Sequence, residues 1–204
     1  MTDKEHATMT PDMITYFFVK DARKDHRLFC SEPPGPLPAK LSKTKAVWEL
    51  AKKKLMLLPP RTLRQEEAFA KTLRIEDAAV TVLCAEPEEK HINLRFHFFL
   101  QKRRSQRILL LIGEGIIAPF AGLAMFLPGP NVIFYALALI MITHWQSLRG
   151  IRALLKKKHN YVIDPLLSEW EMAVAAGRES DYPEIIRRME ETHGLQGLTK
   201  VLWK

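Results

Sequence analysis

The sequence predicts a mainly helical α+β fold, in which a central hydrophobic helical hairpin follows a small two-stranded N-terminal domain and precedes C-terminal helices. Three observations predict this class. Two short runs of β-branched and aromatic residues come first, one long apolar stretch interrupted by Pro-Gly-Pro lies in the middle, and amphipathic helical patterns follow it. These features divide the chain into residues 1–86, 87–160 and 161–204.

The N-terminal domain contains two predicted strands, Ile14–Lys20 and Ala79–Ala85. A proline-rich loop, Ser31–Pro38, and two predicted helices, Leu41–Leu58 and Arg64–Arg74, separate them. The strands can pair in either direction, because so long a separation also permits a parallel arrangement. The lysine-rich face of the first helix fits either a solvated outer surface or contact with anionic lipid.

The central stretch has 36 residues between Arg107 and His144 and a single charged side chain, Glu114. Its two apolar arms are Ile108–Phe126, about 28 Å long as a helix, and Val132–Thr143, about 18 Å long. A hydrocarbon core is about 30 Å thick. Neither arm has the polar stripe of an ordinary surface helix, so the pattern favours a membrane hairpin over two buried helices of a soluble protein.

A turn at residues 127–131 joins the two arms. Prolines restrict the preceding residue away from helical conformation, glycine adopts positive φ without strain, and asparagine caps a following helix. We therefore expect one helix from Pro87 into the first arm, a reversal, and a second helix that returns. Whether the turn crosses the bilayer fully or stops inside it is left open. The turn residues are Pro128, Gly129, Pro130 and Asn131.

Basic residues flank this hairpin on both sides. Residues 91–163 carry ten Lys and Arg and one acid, a charge of +9, whereas the rest of the chain carries −1. Positive flanks stay on the cytoplasmic side, so we expect both termini there and an anionic lipid bilayer as a partner. The predicted lipid-headgroup contacts are Lys102, Arg103, Arg104, Arg107, Arg149, Arg152, Lys156, Lys157 and Lys158.

Glu114 and His144 each lie 15 residues from Gly129, so a symmetric antiparallel hairpin places them level with each other. An ionisable pair inside a membrane segment is a candidate proton or cation relay. The alternative is a protonated or hydrogen-bonded glutamate near the basic interface. Gly113 and Gly115 would let this arm approach its partner arm or another copy closely, so a homo-oligomer is a further expectation.

The C-terminal region predicts helices that pack on the N-terminal domain. Asp164 and Pro165 begin the first, which Gly177 ends, and Gly194 ends the second. A short helix follows. We predict that the segment LRGIRALLKKKHNYVIDP, Leu148–Pro165, which follows the hairpin, continues as a basic helix up to the start of these helices at Asp164 and Pro165.

Motifs of catalysis are missing from the sequence. It has no GxGxxG, GxxxxGK[ST], GxSxG or HExxH, and neither its two cysteines nor its seven histidines have metal-ligand spacing. We therefore predict a protein that is not an enzyme and has no metal and no cofactor. The basic and aromatic run RFHFFLQKRR lacks an RNP-like motif, so nucleic acid is not an expected partner.

The segment Leu127–Arg152, with PGPN, Phe134-Tyr135, His144-Trp145 and Arg149-Gly150, resembles the mitochondrial potassium/proton exchange-related family, which also has bacterial members. The resemblance implies an integral membrane protein that is a component or regulator of potassium/proton homeostasis. It carries no set of ion-binding residues onto this chain. One hairpin is too little for alternating access, so transport would require oligomers or a transporter partner.

Neither a signal-peptide apolar region nor an Arg-rich transit peptide is evident at the N-terminus. This favours a bacterial inner membrane, or the mitochondrial inner membrane if the protein is eukaryotic. Two alternative functions remain: a membrane-anchored scaffold or interaction protein with no transport role, and a soluble helical domain.

Overall fold

The computed structural model describes residues 15–31, 60–73, 79–85, 88–123 and 132–203. The predicted turn at 127–131 and the predicted helix Leu41–Leu58 lie outside these residues. The strands are β1 Thr15–Lys20, β2 His26–Cys30, β3 Ala79–Cys84 and β4 Lys158–Ile163. The helices are α1 Pro60–Thr72, α2 Glu89–Leu123, α3 Val132–Lys156, α4 Pro165–Ala176, α5 Tyr182–His193 and α6 Thr199–Leu202, with a 3-10 turn at Glu179–Asp181.

The strands form one mixed sheet in the order β2-β1-β3-β4. β1 pairs antiparallel with β2 and parallel with β3, and β3 pairs parallel with β4. The predicted mainly helical α+β class is confirmed, and the two predicted strands are parallel neighbours at the centre of the sheet. The sheet has four strands in the described residues, however, where the sequence predicted two.

Side chains of β1 alternate between the two faces of the sheet, as a strand requires. Tyr16 and Phe18 belong to a core shared with α1, α2 and α3. Phe17 and Val19 belong to a second core shared with α4, α5 and α6. Helices thus cover both faces, and all four of these side chains are at most 3% exposed. The predicted packing of the C-terminal helices on the N-terminal strands is confirmed.

β4 replaces the basic helix that was predicted through Asp164. α3 ends at Lys156, and Lys158–Ile163 pairs with the whole of β3, from Ala79 opposite Lys158 to Cys84 opposite Ile163. The prediction failed because the lysines at 156–158 continue the helical pattern, whereas pairing with a neighbouring strand decides the conformation of a short β-branched segment. The return arm of the hairpin is consequently tied to the edge of the sheet.

The ends of α4 and α5 agree with the prediction. Asp164 is the N-cap of α4, and its carboxylate accepts hydrogen bonds from the backbone N–H groups of Leu166 and Leu167. Gly177 and Gly194 adopt left-handed conformations, with φ of 68° and 62°, at the two helix ends. Such positive φ values are strained for residues with a Cβ, which is why glycine ends both helices.

Close contact between α1 and α3 fixes the hairpin to the body of the protein. A Cβ placed on Gly150 would lie 1.8 Å from the backbone oxygen of Phe69. Only glycine, which has no Cβ, allows the helices to approach this closely, so the position of α3 depends on a glycine at residue 150.

Candidate functional site on the helical hairpin

The hairpin of α2 and α3 is the part of the fold that extends beyond the sheet. α2 has 35 residues and is therefore about 52 Å long, whereas a six-residue strand spans about 20 Å. The first half of α2 is anchored by buried side chains such as Phe96 and Leu100, both 0% exposed. Its second half carries large side chains that are mostly exposed. The sheet therefore supports only one end of the hairpin.

Glu114 and His144 meet across the hairpin. The Nδ1 atom of His144 lies 2.6 Å from Oε1 of Glu114, and the two side chains are only 9% and 11% exposed. The predicted level arrangement of these residues is therefore present in the structure. The second carboxylate oxygen of Glu114 is buried with no hydrogen-bond partner within the described residues. A role for the pair as a proton or cation relay stays a prediction.

A second buried ion pair lies two turns earlier on α2. Arg107 donates to the carboxylate of Glu66 on α1, and both side chains are more than nine-tenths buried. Between the levels of the two pairs lies Ser147, which is fully buried and whose Oγ has no recorded partner in the described part of the chain. The two ion pairs thus join the three helices, and each pair penalises their separation because a buried charge without its partner is costly.

The predicted headgroup contacts fall into two groups. Arg107 is buried against Glu66, as described above, and does not face solvent. The remaining eight are exposed or half-buried near the end of the hairpin that meets the sheet. The pKa of Arg103 is lowered by burial and by repulsion from Arg27 and Arg107. The base of the hairpin therefore carries dense positive charge.

The outward face of α2 carries an apolar strip that sequence reasoning assigned to lipid. Leu109, Ile112, Ile116 and Phe120 are 71%, 56%, 63% and 70% exposed, and their spacing of three or four residues places them along one side of the helix. We call this strip, with Gly113 and Ile117 at its edge, the α2 stripe. Large contiguous apolar patches on a protein surface mark interaction sites.

Within the described residues, no helix combines sufficient length with sufficient apolar character to cross a membrane. This finding contradicts the predicted integral membrane protein, its transmembrane helices, its role in ion transport and its location in an inner membrane. The prediction rested on the length of the apolar stretch. In the folded chain the polar positions of that stretch, including Glu114 and His144, form the contact between the two helices.

Comparisons with protein-family models, with curated proteins and with solved structures find no match to this chain. The resemblance of Leu127–Arg152 to the potassium/proton exchange-related family stays a prediction. The described residues themselves define the class of protein: a mixed sheet covered by helices on both faces, from which a two-helix arm with an apolar outer surface extends.

Proposed function

We propose that this chain is an interaction protein without a transport role, and that its hairpin binds a second copy of the same chain through the α2 stripe. The observation that carries the proposal is the exposure of Leu109, Ile116 and Phe120, each at least 63% exposed on a helix whose opposite face is buried. Burying one such side chain fully is worth about 1.5–3 kcal/mol. The stripe is therefore a large source of binding energy that the isolated chain does not use.

The stripe suits a symmetric partner because it is self-complementary. A twofold interface places the same patch of both subunits in contact, so each residue must fit the one that the symmetry brings opposite. For two antiparallel α2 helices with the twofold axis between positions 114 and 115, apolar residues of the two copies face each other, and the small Gly113 faces the large Ile116. The facing pairs are Leu109 with Phe120, Ile112 with Ile117, and Gly113 with Ile116.

Gly113 supports this arrangement. A Cβ on Gly113 would meet nothing within 4 Å, so the glycine is not needed for packing inside the chain, in contrast to Gly150. Glycine in the middle of a helix costs about 1 kcal/mol relative to alanine. In the antiparallel pair, the side chain of Ile116 from the other copy fills the space beside Gly113, which gives a reason for the glycine at this position.

Charge favours the antiparallel direction over the parallel one. In a parallel pair the cationic clusters at residues 102–104 of both copies would lie side by side. In the antiparallel pair they are about 35 Å apart along the helix axis, several times the screening length of about 8 Å at physiological salt. Repulsion between the two basic ends is therefore small only when the helices run in opposite directions.

Sedimentation velocity over a concentration series tests the proposal. The area buried between two short helix stripes is at the low end for specific interfaces, so we expect a dissociation constant of roughly micromolar size. The concentration series should therefore run from about 1 to 200 µM. Leu109→Glu should weaken the dimer at least about tenfold, because a charge is placed against the apolar side chain of Phe120 of the other copy.

Leu94→Glu is the matched control. Leu94 lies on the same helix with the same 71% exposure as Leu109, but outside the α2 stripe. It should leave the dimer unchanged. A chain that stays monomeric throughout the series, or an equal loss of association in both variants, would refute binding between copies.

A further inference from the structure

A groove between α2 and α3, near the sheet, encloses a cavity of about 290 Å³. Three cationic side chains contribute to it, one from α2 and two from α3, together with one imidazole, one amide and one leucine. The lining residues are His97, Gln101, Arg104, Arg152, Leu155 and Lys156. None of the described residues that line this cavity carries a carboxylate.

The cationic groups of the cavity have no counter-charge among the described residues. Some arginines elsewhere in the chain are paired: Arg187 bonds to Glu184 and Glu191, and Arg188 bonds to Glu169. In contrast, no acidic partner is recorded in the described ranges for Arg104 or Arg152. The Nε atom of Arg104 is buried and makes no hydrogen bond there. A buried guanidinium donor without an acceptor is costly, so an acceptor from outside the chain would stabilise it.

The arrangement of donors specifies the chemistry of that acceptor. Two guanidinium groups offer paired N–H donors that match the oxygens of phosphate, and the ammonium of Lys156 adds a point charge. Three full positive charges favour a dianionic phosphate over a singly charged carboxylate. The volume is at the lower limit of ligand pockets, so it suits one phosphate group with a small attachment. Among the described lining residues there is no phenylalanine, tyrosine or tryptophan ring on which a base would stack.

We propose that this cavity is a phosphate-binding site, in which Arg104 and Arg152 hold the oxygens of a phosphate monoester between the two helices of the hairpin. Lys156 completes the positive surroundings, and the His97 imidazole and the Gln101 amide add polar groups that can donate hydrogen bonds. A phosphate there links α2 to α3 at the base of the hairpin. This site is separate from the α2 stripe and is independent of association between copies.

Calorimetric titration of the full chain with inorganic phosphate and with pyrophosphate tests the site. We expect saturable binding with one phosphate per chain, and a loss of at least about tenfold in affinity for Arg152→Gln, which removes one of two bidentate donors. Arg152 is exposed, so its replacement leaves the core intact. Arg104→Gln should weaken binding in the same way.

Arg149→Gln is the matched control, since Arg149 is an exposed arginine on the same helix that does not line the cavity. Vesicles of phosphatidylcholine with and without phosphatidic acid distinguish the source of the phosphate. If Arg152 is needed for binding to free phosphate, the natural ligand is a free phosphate compound. If Arg152-dependent binding occurs only with vesicles that contain phosphatidic acid, the ligand is a lipid headgroup. Absence of binding to every phosphate probe, or equal losses for Arg149→Gln and Arg152→Gln, would overturn the proposal.

Discussion

His144 contacts Glu114 across the hairpin with 2.6 Å between Nδ1 and Oε1, and the pair is shielded from solvent by the two helices that it joins. Because 30 residues separate the partners in sequence, the contact constrains the arms of the hairpin to one register. A shift of either helix by one turn would leave a buried carboxylate without its partner, which is strongly unfavourable.

The energy of this pair is measurable by a double-mutant cycle with Glu114→Ala and His144→Ala. We expect a coupling free energy of about 1–3 kcal/mol, since residues in direct buried contact couple within this range. Urea unfolding of the four proteins provides the value. The exposed pair Arg187 and Glu184, at 57% and 59% exposure, is the control and should couple much more weakly, because water and salt screen its charges. Equal coupling in both pairs would show that burial does not strengthen the first.

Gly150→Ala should destabilise the chain by about 1–3 kcal/mol, because the new methyl group overlaps the carbonyl of Phe69 and the helices must move apart. Gly115→Ala is the opposite case. A Cβ there meets no atom within 4 Å, so the substitution should stabilise α2 by up to about 1 kcal/mol through helix propensity. Thermal unfolding of both variants measures these changes in stability. Stabilisation by Gly150→Ala would exclude the close approach of α1 and α3.

Stability should fall at acidic pH through Asp164. Burial alone raises the pKa of its carboxyl, but the His193 imidazole, whose Nε2 lies 2.9 Å from Oδ2, and the hydrogen bonds from the backbone of Leu167 and Leu166 prevail and hold that pKa below its usual value. A carboxyl with a lower pKa in the folded state stabilises the fold above its unfolded pKa of about 3.9, and this contribution is lost as pH falls through the folded pKa.

Replacing this N-cap tests the pH dependence. Asp164→Ala should cost about 1 kcal/mol at neutral pH, and the difference from the unmodified chain should shrink on acidification below about pH 4. Unfolding midpoints of the two proteins at several pH values give the stability difference at neutral pH and its change on acidification. Asp164→Ser, which keeps a capping oxygen without a charge, should retain most of the stability at neutral pH. A difference that is constant with pH would contradict the role of the charge.

Disulfide trapping checks the direction of the proposed dimer. A mixture of Leu109→Cys chains and Phe120→Cys chains should cross-link between unlike chains, since the antiparallel arrangement places these positions opposite each other. The natural cysteines, Cys30 and Cys84, are buried and leave the surface free of competing thiols in the described residues. Cross-links formed mainly between two Leu109→Cys chains would instead indicate parallel helices.

Much of the fold follows from local sequence signals. The caps at Asp164, Gly177 and Gly194 and the continuous helix into the first arm are encoded by residues next to them, so they were predicted correctly. β4 was missed because its conformation depends on β3, more than 70 residues away in the chain. β2 was also missed, although its partner β1 is its neighbour in the chain and Lys20 pairs with His26.

The contact between Glu114 and His144 was predicted from the symmetry of the hairpin about Gly129, which sets the register of two helices of equal rise. The membrane assignment failed because hydropathy counts side chains without their direction. It treats the polar groups that face the other helix and the leucines that face outward alike. The buried partner of Arg107 was also missed, because Glu66 belongs to a helix that no local pattern connects with the hairpin.

The parallel pairing of β3 with β4 makes the entire hairpin a crossover connection, inserted between two adjacent strands of one sheet. Only the two ends of this insertion connect directly to the sheet, where α2 follows β3 and α3 precedes β4. The length of the outer part is therefore free to change by whole helical turns in both arms together, without a change in the strand register. The outer part of the hairpin can thus be exchanged for a longer or shorter one, while the sheet and its covering helices keep their structure.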